Sequence, residues 1–201
     1  MASGLSIGEG DALLVVDLQK DFLPGGRLPV PEGDAVVPAM NRCLRAFRAA
    51  GRPVFATRDW HPPEHVSFQA QGGPWPPHCV AGDPGADFAD GLELPADVIV
   101  VSKATRPDTE AYSGFQGTDL DDYLRALEVR RLFVGGLATD YCVLETVKDA
   151  RKLGYEVVLL QDAMRAVDAE PGAGERALEE MRGLGAAVAA STDLGGTEAA
   201  G

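Results

Sequence analysis

Asp11-Ala12-Leu13-Leu14-Val15-Val16-Asp17 sets five apolar residues between two acids. A short apolar run without alternation is how a parallel strand covered on both faces is written. Its end at Asp17 puts a carboxylate at the strand's carboxyl terminus. Similar runs follow at Pro53-Val54-Phe55-Ala56-Thr57, at Val98-Ile99-Val100-Val101 ending in Ser102-Lys103, and at Leu132-Phe133-Val134 with Gly135-Gly136. Residues 156–160 give a fifth strand and Ala187-Val188-Ala189 a short sixth. Between the first two, Val36, Met40, Cys43, Leu44 and Phe47 recur at helical spacing until Gly51. Further helices are expected over 120–127, over 143–153 up to Gly154, and along Ala177, Leu178, Met181 and Leu184.

Strands alternating with helices, without an internal repeat, predict an α/β fold. Right-handed crossovers narrow this to a doubly wound, about six-stranded parallel sheet with helices on both faces. The 201 residues suffice for one core and would strain to build two, so a single domain over 1–201 is expected, with loose ends at 1–10 and 194–201. Ligands of such sheets bind beyond the carboxyl ends of the strands. Asp17, Asp59, Lys103 and the 138–142 segment each follow a predicted strand, so they converge on one rim.

Hydrophobic residues make up 45% of the chain and charged residues 24%, an ordinary globular balance. The formal net charge of -13 repels phosphate backbones and anionic lipid, which argues against nucleic acid and membrane partners. No apolar run approaches the roughly 20 residues that span a bilayer, and no secretory signal is visible at the N-terminus. Three cysteines at wide spacings do not make a disulfide framework, so a reducing cytoplasm is the default expectation.

The stretch from Asp59-Trp60-His61 to Trp75-Pro76-Pro77-His78-Cys79 carries all three histidines and both tryptophans. A polar loop of this length inside a domain points to function or disorder, and rigid aromatics with clustered imidazoles favour function. Asp59 and His61 are two apart, so in extended backbone they project to one side and can meet one ion. His78 is the leading third ligand. Two imidazoles and a carboxylate leave positions open for water or substrate and suit zinc, iron or manganese. His65 is a further candidate, either as a ligand or as a partner orienting one. The plain alternative is that Asp59 caps a turn and the histidines bond to backbone.

Cys142 falls after a strand, a Gly-Gly turn and a helix start. A thiol at a helix N-terminus is biased toward thiolate, and Thr139 and Asp140 beside it look like capping residues. Cys43 lies on the apolar face of its helix and reads as core; Cys79 has no evident role. Lys103 closes a buried strand, where it either snorkels to solvent or faces an anion. With Asp17 on the same rim, an acid, a cation and a thiol form a catalytic set, in which Asp17 takes the thiol proton and later returns it to a leaving amine.

Five motifs in order resemble the nicotinamidase/pyrazinamidase family of the isochorismatase-like cysteine hydrolases. They are 17–22 (DLQKDF), 59–62 (DWHP), 75–79 (WPPHC), Lys103 with Tyr112-Ser113-Gly114-Phe115, and 135–143 (GGLATDYCV). The resemblance implies an Asp17–Lys103–Cys142 triad and one divalent metal ion, usually zinc, on Asp59, His61 and His78. It further implies a ring pocket of Phe22, Trp75 and Tyr112, a cis Leu137-Ala138 peptide, and an oxyanion hole from the Ala138 and Cys142 amides. The implied reaction converts nicotinamide, and by the same chemistry pyrazinamide, to the acid and ammonia through a cysteine thioester, serving NAD salvage. Homo-oligomers are common among such enzymes. The motifs show no clear counterpart of the extra acidic metal ligand of some relatives.

Two other readings compete. A metal-free member of the superfamily, acting on isochorismate or a carbamoyl compound, would lack the paired D-x-H and W-P-x-H motifs present here. A non-catalytic nucleotide- or flavin-binding module would need a phosphate-cradling loop, and neither G-x-G-x-x-G nor G-x-x-x-x-G-K-[ST] follows any strand.

Overall fold

A computed structural model describes residues 5–195. In chain order the elements are β1 (Asp11–Val16), α1 (Val36–Ala49), β2 (Val54–Asp59), β3 (Ile99–Lys103), α2 (Leu120–Ala126), β4 (Arg131–Leu137), α3 (Leu144–Lys152), β5 (Glu156–Arg165), α4 (Ala173–Gly183) and β6 (Ala187–Ala189). The strands form one sheet in the order β3-β2-β1-β4-β5-β6, with every pairing parallel. This is the expected doubly wound topology. Strand order reverses between β1 and β4, and the crevice beyond that switch point is where such sheets bind ligands.

β1 explains why the sheet needs cover on both sides. All six of its residues are buried. Leu13 and Val15 join the core that holds Met40 and Phe47 of α1, while Ala12, Leu14 and Val16 join the core that holds Leu124 of α2, Val147 of α3 and Met181 of α4. Successive side chains point to opposite faces, so one uniformly apolar strand feeds two hydrophobic layers.

Four local expectations are revised. Gly135-Gly136, read both as the end of the fourth strand and as a turn before Cys142, belongs to β4, where the pairing with β5 shifts register. Gly136 sits at φ 129°, and a Cβ there would overlap the Val16 carbonyl of the neighbouring strand. β5 runs on to Arg165, through the polar pair Gln161-Asp162 that disguised its second half. Thr139 and Asp140 do not cap α3: residues Thr139–Val143 form a single π-helical turn, and the Asp140 carboxylate accepts the Val167 and Asp168 N–H groups at 2.9 Å each. Looseness at the ends does not extend to Leu5, whose N–H donates to the Asp193 carbonyl at 2.8 Å and which bridges Leu194; 1–4 and 196–201 lie outside the described residues. Among the described residues no helix is long and apolar enough to cross a membrane.

Candidate active site

Asp17, Asp59 and Lys103 stand at the carboxyl ends of three adjacent strands. Asp59 and Lys103 are register partners across β2 and β3, and the Asp17 N–H donates to the Thr57 carbonyl on β2 at 3.2 Å. Lys103 does not snorkel. Its residue is 1% exposed, and Nζ lies 2.9 Å from Asp17 Oδ2, 2.5 Å from Asp59 Oδ1, 3.1 Å from the Ala111 carbonyl and 3.5 Å from Cys142 Sγ. A lone buried ammonium would shed its proton, but two carboxylates outweigh the effect of burial and hold Lys103 well above its ordinary pKa.

The remaining charges follow from that ammonium. Burial pushes Asp17 upward, and Lys103 offsets only part of it because Asp59 adds repulsion. Burial also pushes Asp59 up, yet Lys103, with His61 beside it, brings it net below the usual carboxylate value. Cys142 is buried in the π-helical turn ahead of α3, and burial drives its thiol well above the ordinary range despite Lys103. Burial thus opposes the thiolate that a helix N-terminus favours. A base must take the thiol proton. Thr57 Oγ1 donates to Asp17 Oδ1 at 2.7 Å, and Oδ2 lies 2.9 Å from the Lys103 ammonium. Carboxylate oxygens of Asp17 and Asp59 and the sulfur of Cys142 all lie within 4.8 Å of one another. A buried carboxylate thus stands within reach of the thiol.

Asp59, His61 and His78 bring one donor atom each within 4.8 Å of the others, and all three are buried. His61 Nδ1 donates to the His78 carbonyl at 2.9 Å, and His78 Nδ1 to the Pro76 carbonyl at 2.8 Å. Carbonyl partners fix both rings with Nε2 as the lone-pair nitrogen, the arrangement that metal-ligating imidazoles use. Burial pushes His61 down to about 4, so it is neutral at physiological pH. This donor set fits a divalent ion. His65 is placed otherwise: its Nδ1 meets Ser67 Oγ at 2.7 Å and its Nε2 the Thr109 carbonyl at 3.1 Å, so both nitrogens are engaged. Its ring lies tilted beside that of His61, 4.4 Å between centroids, and it forms a second donor group with His61 and Glu110.

A cavity of about 60 Å³ has Cys142, Asp59, His78, Phe22, Trp75 and Tyr112 on its walls. Trp75 Nε1 donates to Tyr112 Oη at 2.9 Å, fixing two walls against each other. The sequence reading missed a fourth aromatic, Tyr141, whose ring meets Trp75 edge-on at 5.4 Å; its place next to Cys142 was the available signal. Val167 also lines the cavity and is held there by Asp140. Cys43 and Cys79 are fully buried, and burial raises both thiols, Cys43 to about 12, which suits inert core positions.

This fold, with an acid, a cation and a thiol at the switch point, is that of a hydrolase family: the isochorismatase domain description matches residues 11–193, and the chain belongs to that family. Within it, the chain is 41% identical over 198 residues to a nicotinamidase of Escherichia coli (strain K12), covering 88% of this chain and 93% of that one. The structure of a pyrazinamidase of Pyrococcus horikoshii in complex with zinc superposes with a TM-score of 0.87 at 52% identity, covering 90% of this chain and 99% of that chain. That of PnC1 from L. infantum in complex with nicotinate superposes with a TM-score of 0.86 at 36% identity, over 96% and 98% of the two chains.

Proposed function

We propose that this chain is a metal-dependent nicotinamidase that hydrolyses nicotinamide, and pyrazinamide by the same chemistry, to the carboxylic acid and ammonia. The observation that carries the reading is Lys103: its ammonium touches Asp17, Asp59 and Cys142 at once, joining a thiol-and-acid pair to a three-donor metal set across one small cavity. The similarity to nicotinamidases and to the zinc-bound pyrazinamidase supports it.

Asp17 Oδ2 accepts the thiol proton as Cys142 Sγ attacks the carboxamide carbon. The Ala138 and Cys142 N–H groups receive the oxyanion of the tetrahedral intermediate. Asp17 then gives the proton to the departing nitrogen, leaving a thioester and ammonia. A water molecule, deprotonated by Asp17, attacks the thioester; the acid leaves and the proton returns to sulfur. Lys103 stays charged throughout and keeps Asp17 ionised between transfers. Phe22, Trp75 and Tyr112 sandwich the ring and exclude water from it. A divalent ion on Asp59, His61 and His78, with zinc as the proposed identity, supplies a Lewis acid for the lone pair of a pyridine-type ring nitrogen. We assign the enzyme to the cytoplasm as one domain, consistent with three free thiols.

The test is ammonia release from nicotinamide by the purified protein, by the chelator-treated protein, and after zinc is restored. Turnover that falls on chelation and returns with zinc supports the proposal. Failure to release ammonia from nicotinamide or pyrazinamide in the zinc-restored protein rejects it.

A further inference from the structure

Metal ligands hold their geometry only if the backbone beneath them is held, and here β2 outruns its neighbour. Pairing between β1 and β2 ends at Val15 with Ala56, while β2 continues to Asp59. β1 has turned away at Asp17, which adopts φ 46°. The peptide groups of Asp59 would face a gap on that side. Gln19 fills it. Its side-chain amide accepts the Asp59 N–H at 2.8 Å and donates to the Asp59 carbonyl at 2.8 Å and the Ala86 carbonyl at 2.9 Å. Gln19 is fully buried, and both of its donor hydrogens and its acceptor are used. A primary amide thus stands in for the missing strand, as a peptide group would.

Asp21, two residues on, does the same at the other end of the loop. Its Oδ2 accepts the Cys79 N–H at 2.7 Å and its Oδ1 the Arg27 N–H at 3.2 Å. Cys79 sits at φ 46°, an unusual conformation for a side chain-bearing residue. Its carbonyl accepts the His61 N–H at 3.0 Å, and the carbonyl before it, that of His78, accepts His61 Nδ1. Fixing residue 79 therefore fixes both His78 and the partner that aims the His61 ring.

We propose that Gln19 and Asp21 are positioning residues for metal binding, one clamping the Asp59 arm and the other the His61–His78 arm. The inference rests on the metal reading above. Neither side chain is among the metal donors or the catalytic groups. Their substitution acts on affinity for the ion and leaves the thiol chemistry in place. Outer partners of metal ligands typically contribute about 10–100-fold in affinity.

The experiment is Zn²⁺ titration against a competing chelator for wild type, Gln19→Met, Asp21→Asn and Asn41→Ala, with thermal unfolding of each zinc-free protein. Gln19→Met keeps the side-chain length but loses three bonds. Asp21→Asn keeps the shape, but whichever way its amide turns, an N–H faces an N–H. Asn41→Ala is the control: its amide bridges the Gly91 carbonyl and the Glu93 N–H, a buried clamp of the same kind that holds no metal donor. The expected result is a Zn²⁺ dissociation constant raised about 10–100-fold in the two site variants and unchanged in Asn41→Ala, with kcat recovered at saturating Zn²⁺. Wild-type affinity in both site variants overturns the inference, as does an equal loss in Asn41→Ala, which would mark a general effect of stability. Absence of Zn²⁺ binding by wild type rejects the metal reading and this inference together.

Discussion

Lys103 Nζ donates to Asp59 Oδ1 at 2.5 Å, so the carboxylate offered to a metal ion is also the partner of the ammonium beside the thiol. Lys103 therefore links the three metal donors to the thiol-and-acid pair.

Lys103→Met tests that coupling. It leaves Asp17 and Asp59 facing each other without their shared cation, and breaking a buried pair by removing one member costs about 3–5 kcal/mol. Urea unfolding of the zinc-free protein is expected to show a loss of that order, and ammonia release to be abolished. Stability within about 0.5 kcal/mol of wild type would mean that the two carboxylates do not need Lys103.

Cys142→Ala removes the attacking sulfur and nothing that holds the ion. Ammonia release is expected to fall by more than roughly a thousandfold, the scale on which loss of a nucleophile acts in hydrolases. Zinc content, measured by atomic absorption, stays near wild type. Residual turnover close to wild type would reject Cys142 as nucleophile.

His61→Ala should act in the opposite sense, with metal content reduced and KM raised. Full zinc occupancy in this variant would strike His61 from the ligand set.

His61 also gives the zinc-free protein a dependence on pH. Burial lowers it from its ordinary 6.5 to about 4. As pH falls below 6.5 the unfolded chain takes up a proton there that the folded chain refuses until about pH 4. Stability is thus full above pH 6.5 and declines through that window by on the order of 3 kcal/mol. Urea midpoints of the zinc-free protein at pH 7.5, 5.5 and 4.5 (about two units apart, then one) should show a steeper fall for wild type than for His61→Gln. Parallel profiles would remove His61 as the source.

Trp75→Phe keeps an aromatic wall but loses the bond from Nε1 to Tyr112. One such bond is worth about 1 kcal/mol, so KM for nicotinamide is expected to rise several-fold with kcat little changed. A large fall in kcat at constant KM would contradict a role confined to holding the ring.

Much of this was legible in the residues because apolar runs that end in a charge mark both a buried strand and what stands at its tip. Asp17 and Lys103 were placed on the rim by that rule alone. Asp59, His61 and His78 came from their types and spacing, which a metal constrains tightly. The legible part stopped where one residue type has two uses. Asp140 has the look of a helix cap but holds the 167–168 turn. Gly135-Gly136 reads equally as strand end and as turn, and it is strand pressed against β1. The Cys142 proton depended on burial, which opposes the helix dipole and which no local pattern reports.

Among the described residues β3 is one of the two edge strands of the sheet and pairs with β2 alone. The bonds that fasten its last residue, Lys103, are the same ones that arm the sulfur, so chemistry and the hem of the fold share a single clasp. Fraying at that margin would take the cation out of the centre before the inner strands had parted, and heat would silence such an enzyme while most of its sheet still stood.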